Sequence, residues 1–146
     1  IAIDTGDGEE CNRMMFPPYK IDRELLTKVI QQKLTEVETL GSERVLLENP
    51  GTTAKFPVCV LYNFQARPQN FKASYALSIT IEVWAREYYE AQRIYQQAAD
   101  KLSEINFVEV APTPQTKDPI TKKQRYGSTF EAGWSAITNT FYVNRS

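Results

Sequence analysis

The sequence predicts an α+β domain with a single, mostly antiparallel sheet of four to five strands and two helices packed on one face. Three observations favour this class. Apolar residues alternate along several short segments, two longer segments carry them at helical spacing, and strand-like segments follow one another closely. Because parallel neighbours need a long crossover, strands joined by short turns are expected to pair antiparallel.

An extended arm is predicted over residues 1–21, before a single domain over residues 22–146. The first twenty residues contain two glycines and the pair Pro17-Pro18 but show no sustained periodicity, which is typical of a segment outside the core. Such a segment normally packs on its own domain or on a neighbour when it carries adhesive side chains. We therefore expect four of its residues to lie in a protein–protein interface: Met14, Met15, Phe16 and Tyr19.

The first helix is predicted over residues 23–40. Asp22 precedes it as an N-cap, and Gly41 follows it at a position where a left-handed residue can end a helix. Ile21 and Leu26 are spaced for a hydrophobic staple. The apolar stripe of this helix is expected to face the core and consists of Leu26, Val29, Ile30, Leu34, Val37 and Leu40.

Two strands are predicted next, over residues 44–48 and 56–64. The sequence Asn49-Pro50-Gly51 favours a turn between them. The second strand alternates in hydrophobicity, and Pro57 indicates that it begins at a sheet edge, because proline cannot donate to a strand ladder. Residues 65–72 are polar and are predicted to connect this strand to the next one.

The clearest pattern lies where a strand runs directly into a helix, in SYALSITIEVWAR and EYYEAQRIYQQAADKL. From Tyr75 onward, apolar residues alternate with small or polar ones, which predicts a strand with one buried face. Glu82 belongs to the polar side, close to Trp84, and is expected to be half exposed. After Arg86 the spacing becomes helical, with a predicted buried stripe of Ala91, Ile94, Tyr95, Ala98, Leu102 and Ile105.

The remaining residues predict a short strand or extended exit over 106–110, a loop over 111–125, and a closing segment over 128–143. Long loops in compact domains are usually functional or disordered, and this one is basic. Its charged residues are candidate interface residues: Lys117, Lys122, Lys123 and Arg125. The closing segment is predicted to be one broken strand or a tight pair divided at Gly133, with Trp134 and Tyr142 on a face that a partner would cover.

Composition excludes several classes of function. The formal net charge of −1 does not fit a domain that binds nucleic acid non-specifically. The absence of histidine excludes Ser-His-Asp and Cys-His nucleophiles and histidine-ligated metals. The run DTGDGEE lacks the ligand pattern of an EF-hand, and no glycine-rich phosphate loop follows a strand. We therefore identify no catalytic, cofactor-binding or metal-binding residue.

The sequence also carries expectations about the compartment in which the protein works. No apolar run approaches ~18 residues, and the opening residues lack the basic start and apolar core of a signal peptide, so neither a membrane span nor secretion is expected. Cys11 and Cys59 have no partner at metal-ligand spacing. We expect two free thiols in a reducing compartment, with a disulfide between them as the open alternative.

Several segments together resemble the tail terminator, or tail-completion, proteins of long-tailed bacteriophages. They are FPVCVLYNF, the strand ending in EVWAR, the helix EYYEAQRIYQQAADKL directly after it, and the closing FEAGWSAITNTFYVNR. The resemblance covers roughly residues 22–145 and rests on element order and on the strand-to-helix signature. The acidic arm is not part of it.

The resemblance implies a hexameric ring of α+β protomers that caps the tail tube at full length and joins it to the head-completion proteins of the neck. It implies a virion protein assembled in the bacterial cytoplasm, with no catalysis. The ring channel would carry DNA, and whether the basic loop lines that channel stays open. A ring needs two different, complementary patches on each copy, and the arm, the basic loop and the closing strand are the expected patches.

Two other classes of function remain open. One is a different neck or tail-tube component of the same particle, which would share the fold and occupy another position. The other is a small enzyme or ligand-binding domain that works as a monomer or dimer. A deep pocket converging on Glu82 or Trp84 would favour that second class.

Overall fold

The computed structural model describes residues 21–48, 50, 55–69, 73–113, 117–119 and 122–143. The arm with Met14, Met15, Phe16 and Tyr19, and also Cys11, lies outside the described residues, apart from Ile21 at its end. The elements in chain order are α1 (Arg23–Leu34), β1 (Val45–Leu46), β2 (Val58–Pro68), β3 (Ser74–Ala85), α2 (Tyr88–Ser103), β4 (Val108–Pro112), β5 (Gln124–Ser135) and β6 (Thr140–Tyr142).

The strands form one open sheet in the order β1-β2-β3-β5-β4, and β6 pairs with β5 beyond the end of β4. Neighbouring strands are antiparallel except β1 and β2, which are parallel. The predicted α+β class with a mostly antiparallel sheet is therefore confirmed. The sheet has six strands in the described residues, one more than the upper number predicted, because the stretch after α2 contains three strands.

Strand β3 lies at the centre of the sheet and is buried on both faces. It pairs with β5 along its whole length, from Ser74 to Ala85, and with β2 on its other side. One face meets the helices through Leu77, Ile79, Ile81, Val83 and Ala85. The opposite face carries Thr80, Glu82 and Trp84, which are 3%, 7% and 2% exposed. The expectation of a single buried face is wrong, because side chains of β2 and β5 pack beside these three residues on the second face.

The start of α1 matches its prediction and its end does not. The Asp22 carboxylate accepts a hydrogen bond from the Leu25 amide at 3.1 Å, which confirms the N-cap. The helix ends at Leu34, and turns follow it to Gly41, whose φ of +61° confirms a left-handed residue. Val29 was expected in the core but is 38% exposed, because it lies beside the row that faces the sheet. That row consists of Leu26, Ile30 and Leu34.

Helix α2 agrees closely with its prediction. The first five residues of the predicted stripe are buried, and Ile105, the sixth, packs against the core from just beyond the helix. Both helices contribute to the same hydrophobic cluster as the inner face of β3, so they lie on one face of the sheet.

A β-bulge in β2 moves its side chains between the two faces of the sheet. The pairing register with β3 shifts between Tyr62 and Gln65, and Asn63 has a φ of +58°. Since a bulge inserts one extra residue, Phe64 reaches the helix-covered core, whereas Val58 and Val60 face the other way. The strand then continues to Pro68, so the polar connection predicted over residues 65–72 is wrong for its first half.

The second half of the chain contains more strand than predicted. Strand β4 extends through Pro112 and β5 begins at Gln124, which shortens the expected loop to residues 113–123. The predicted division at Gly133 is wrong, because the turn between β5 and β6 lies at residues 136–139. Gly133 stays in the ladder opposite Tyr142, and a Cβ at this position would collide with the Tyr142 ring. The glycine thus makes room for an aromatic ring.

An ion-pair cluster joins the end of α1 to the end of α2. Lys33 Nζ lies 2.7 Å from a Glu104 carboxylate oxygen, and Lys101 Nζ lies 3.5 Å from Glu36. The hydrogen bond from Lys33 lowers the pKa of Glu104, and the same bond raises the pKa of Lys33. The cluster therefore stabilises the helix pair most between the ordinary pKa values of glutamate and lysine.

We predict that Ile30→Ala lowers the free energy of unfolding by about 2–5 kcal/mol, because Ile30 is 0% exposed and its removal leaves a cavity. Val29→Ala is the matched control on the same helix and is expected to change stability by less than about 0.5 kcal/mol. Chemical denaturation followed by circular dichroism measures both. Equal losses for the two variants would contradict the orientation of α1.

We also predict that Glu104→Gln destabilises the protein at neutral pH and that its deficit shrinks in acid. The deficit depends on pH because folding lowers the pKa of Glu104. The carboxylate's contribution to the free energy of unfolding is fully present above the ordinary glutamate pKa of 4.5 and is lost as the pH falls through the lower folded-state pKa. Unfolding of the wild type and the variant between pH 7 and acid gives the comparison, with Glu38→Gln in the exposed turn as the control. A deficit independent of pH would exclude the ion pair as its cause.

Candidate functional site

An open cleft lies on the sheet face that the helices leave uncovered. Its volume is about 440 Å³, and its lining consists of Leu47, Glu48, Val60, Tyr62, Glu82 and Arg125. These residues come from β2, β3, β5 and the segment directly after β1. The cleft therefore spans adjacent strands, near the end of β3 that leads into α2.

The strand registers bring the lining residues together. Val60 of β2 lies opposite Glu82 of β3, and Trp84 lies between Val58 on one side and Arg125 on the other. Since alternate residues of a strand point to the same face, Glu82 and Trp84 share a face with these neighbours. Val58, Val60 and Trp84 form a second, smaller hydrophobic cluster on this face, and Leu46 and Phe56 pack against it.

Glu82 is the most unusual residue of the cleft because its carboxylate is largely buried. It is 7% exposed, so the expectation of a half-exposed glutamate is wrong. The indole Nε1–H of Trp84 donates to Glu82 Oε1 at 3.4 Å. Opposite Glu82 on β5 lies Gly127, where a Cβ would be 2.8 Å from Glu82 Cγ and would collide with the Ile81 carbonyl oxygen. The glycine leaves the space in which the Glu82 side chain lies.

The electrostatics of neighbouring groups reflect this carboxylate. Burial raises the pKa of the Tyr62 hydroxyl, and the charge of Glu82 raises it further, while Arg125 acts weakly in the opposite sense. Burial also raises the pKa of the Cys59 thiol to about 12, again with help from Glu82. Cys59 is free, as predicted, and it stays a protonated, unreactive thiol at neutral pH.

The four basic residues of the predicted loop occupy different places. The guanidinium carbon of Arg125 lies 5.3 Å from the centre of the Trp84 ring, at the cleft. Lys123 Nζ lies 5.0 Å from the centre of the Phe56 ring, next to the same small cluster. Lys117 and Lys122 are exposed, and the Lys117 backbone bridges to Gln124. The structure thus holds two of the four cations on aromatic rings beside the cleft.

The two aromatic residues predicted for a partner-covered face differ in position. Trp134 is 6% exposed within the main core, 6.0 Å from the ring of Tyr75, so its expected position on an uncovered face is wrong. Tyr142 is partly buried at the opposite end of β3, where its hydroxyl bonds to Ser74 and donates to Gln69 at 2.9 Å. A role for Tyr142 in an interface stays a prediction.

Sequence reasoning identified Glu82, Trp84 and Arg125 but missed the other walls of the cleft. No sequence motif marks the other lining residues, which are Leu47, Glu48, Val60 and Tyr62. The available signal was the two-residue spacing of Val60 and Tyr62, which places both on one face of a strand. Within the described ranges no cluster of three His, Cys, Asp or Glu side chains is placed to hold a metal ion. No helix in that part of the chain is long and apolar enough to cross a membrane.

No protein-family model matches the chain, and no curated protein matches it either.

We predict that Gly127→Ala destabilises the protein by about 1–3 kcal/mol, because the added methyl group overpacks a site with a backbone oxygen on one side. Removing the Glu82 side chain as well should not restore stability, since the Ile81 carbonyl remains.

At Gly133 an added methyl group would meet the Tyr142 ring instead, so adding Tyr142→Ala to Gly133→Ala should recover part of the lost stability. Denaturation midpoints of these variants test both statements, and wild-type stability for Gly127→Ala would contradict the packing around Glu82.

Proposed function

We propose that the protein is a tail terminator of a long-tailed bacteriophage. Its copies would form a ring, most simply a hexamer, that caps the tail tube, ends tail polymerisation and joins the tail to the head-completion proteins. The proposal is carried by the segments that resemble this family. Their strand-to-helix order is present in the fold, where β3 ends at Ala85 and α2 begins at Tyr88.

The open sheet supports a role in self-assembly, because its two edges are different surfaces. At one edge, all five residues of β4 are exposed, and Val108 and Val110 are 46% and 49% exposed. At the other edge, β1 pairs with β2 only at Cys59 and Val60. The rest of β2, after Val60, has no strand neighbour on that side among the described residues. Two unlike surfaces on opposite sides of one protomer are what a head-to-tail ring requires.

Strand direction supports the same type of contact. Strand β2 runs antiparallel to β3, β3 runs antiparallel to β5, and β5 runs antiparallel to β4. Consequently β4 and β2 run in opposite directions. Placing β4 of one copy beside β2 of the next would continue the antiparallel order of the sheet.

The proposed partners are other copies of the chain, the tail tube protein and a head-completion or neck protein. Assembly would occur in the bacterial cytoplasm, and the mature position would be the neck of the virion. The proposed contact residues remain the arm residues Met14, Met15, Phe16 and Tyr19, the exposed Lys117 and Lys122, and the partly buried Lys123, Arg125 and Tyr142. Basic residues of the loop would lie near DNA if the loop faces the ring channel.

A small ligand-binding domain is the second candidate, because one observation favours it. The open cleft is lined in part by the largely buried Glu82, whose carboxylate accepts a hydrogen bond from the Trp84 indole. Such a domain would work as a monomer or dimer and would leave tail length unaffected. A different neck or tail-tube component would instead be required for joining or for tube formation.

Electron microscopy of particles assembled without this protein tests the proposal. We predict tails of widely varying length, because nothing would stop polymerisation at the correct point, and we predict uniform tails when the protein is supplied in trans. Tails of uniform length that fail to join heads would assign the chain to another neck position. Complete absence of tails would assign it to the tube, and normal particles would leave the ligand-binding function as the better explanation.

A further inference from the structure

We propose that the Glu82 cleft is a binding site for an organic cation, namely a guanidinium or primary ammonium group on an alkyl stem. The inference rests on the cleft alone and does not depend on ring formation. Nothing in the proposed tail function assigns a ligand to this face of the sheet.

The acceptor capacity of Glu82 is the first argument. An ionised carboxylate has about four acceptor positions. Within the described residues, Glu82 receives the Trp84 indole N–H at the long distance of 3.4 Å, and the Tyr62 hydroxyl is close enough for its pKa to respond to the carboxylate. These two groups do not occupy all the acceptor positions of the Glu82 carboxylate. The exposed part of the Glu82 side chain faces the cleft. A ligand with several N–H donors fits that opening.

The sign of the charge is the second argument. The lining contains two carboxylates, Glu48 and Glu82, against one guanidinium, Arg125. Arg125 lies over the Trp84 ring, where an aromatic face stabilises its charge. Among the described lining residues the formal charge is therefore −1, which favours a cation over a phosphate or a carboxylate, and Lys123 lies outside the lining, on the Phe56 ring. Because Glu82 is mostly shielded from water, its attraction for a cation is stronger than that of a surface glutamate.

The apolar walls are the third argument, because they select an organic cation over an inorganic one. Leu47 is 48% exposed and Tyr62 is 40% exposed, so both present carbon surface to the cleft beside Val60. An alkyl stem can lie along these side chains while its charged head reaches Glu82. An aromatic ring can also attract a cation that contacts its face, and Tyr62 is part of the lining. A bare metal ion would gain nothing from these walls.

The chain provides its own reporter for the test, since it contains two tryptophans on opposite faces of the sheet. The indole N–H resonance of Trp84 should shift when a ligand competes for Glu82, and that of Trp134 should not. We would titrate the full chain with butylguanidinium, with its neutral isostere butylurea, and with the capped peptide acetyl-Gly-Arg-Gly-amide, using two-dimensional NMR.

We expect saturable shifts of the Trp84 resonance with butylguanidinium and no saturation with butylurea. Saturation by the peptide as well would identify protein arginine side chains as a source of the cation, and saturation by butylguanidinium alone would identify free small molecules. Glu82→Gln should weaken binding about tenfold or more, because a charge-assisted hydrogen bond is lost. Glu131→Gln, a partly buried glutamate on the same sheet face but outside the lining, is the matched control.

Glu48→Gln provides an independent variant at an exposed position, where folding is not at risk, and should weaken binding a few-fold. Lack of saturation by both cations, equal affinity for butylurea, or unchanged binding by Glu82→Gln would overturn the proposal. The tail-length experiment is unaffected by any of these outcomes, so the two proposals fail separately.

Discussion

Pairing of β3 with β2 on one side and with β5 on the other is the interaction on which the rest of the structure depends. It fixes the central strand along its whole length, so both faces of that strand become interior surfaces. The face with Ile79 and Ile81 supports the two helices and the main core. The face with Thr80, Glu82 and Trp84 carries no helix of the described residues, and side chains of β2 and β5 pack beside it. The Glu82 side chain is therefore largely buried, although the cleft beside it is open.

The registers of β3 also explain why the cleft has its composition. Glycine at position 127 leaves room for the Glu82 side chain, the Trp84 indole donates to that side chain, and Arg125 lies on the indole ring. Two of these three contacts join residues opposite each other in the β3–β5 ladder, so the cleft depends on strand pairing. The edges of the same sheet are unlike each other and, among the described residues, incompletely paired, so the proposed self-association would use surfaces separate from the cleft.

The sequence predicted best those features that depend on local patterning. The N-cap at Asp22, the left-handed Gly41 and the buried stripe of α2 follow from spacing and residue type within one segment. Features that depend on pairing between distant segments were missed. The alternation along β3 made Glu82 look half exposed, because it cannot show which strands lie alongside. Near Asn63, the local sequence does not distinguish a β-bulge from a loop. At Gly133, it does not distinguish a glycine that accommodates the Tyr142 ring from the end of a strand. Glu82 and Arg125 were each identified from the sequence, but their proximity was not predicted, because it depends on the register between β3 and β5.

Imaging the purified chain with bacteriophage tail tubes addresses the proposed role most directly. If the chain is a terminator, class averages will show a closed ring at one end of each tube, with a mass near six copies of the 16.7 kDa chain, about 100 kDa. A chain that remains monomeric or dimeric and binds no tube end, while its Glu82 cleft takes up and transforms a small molecule, would contradict that role.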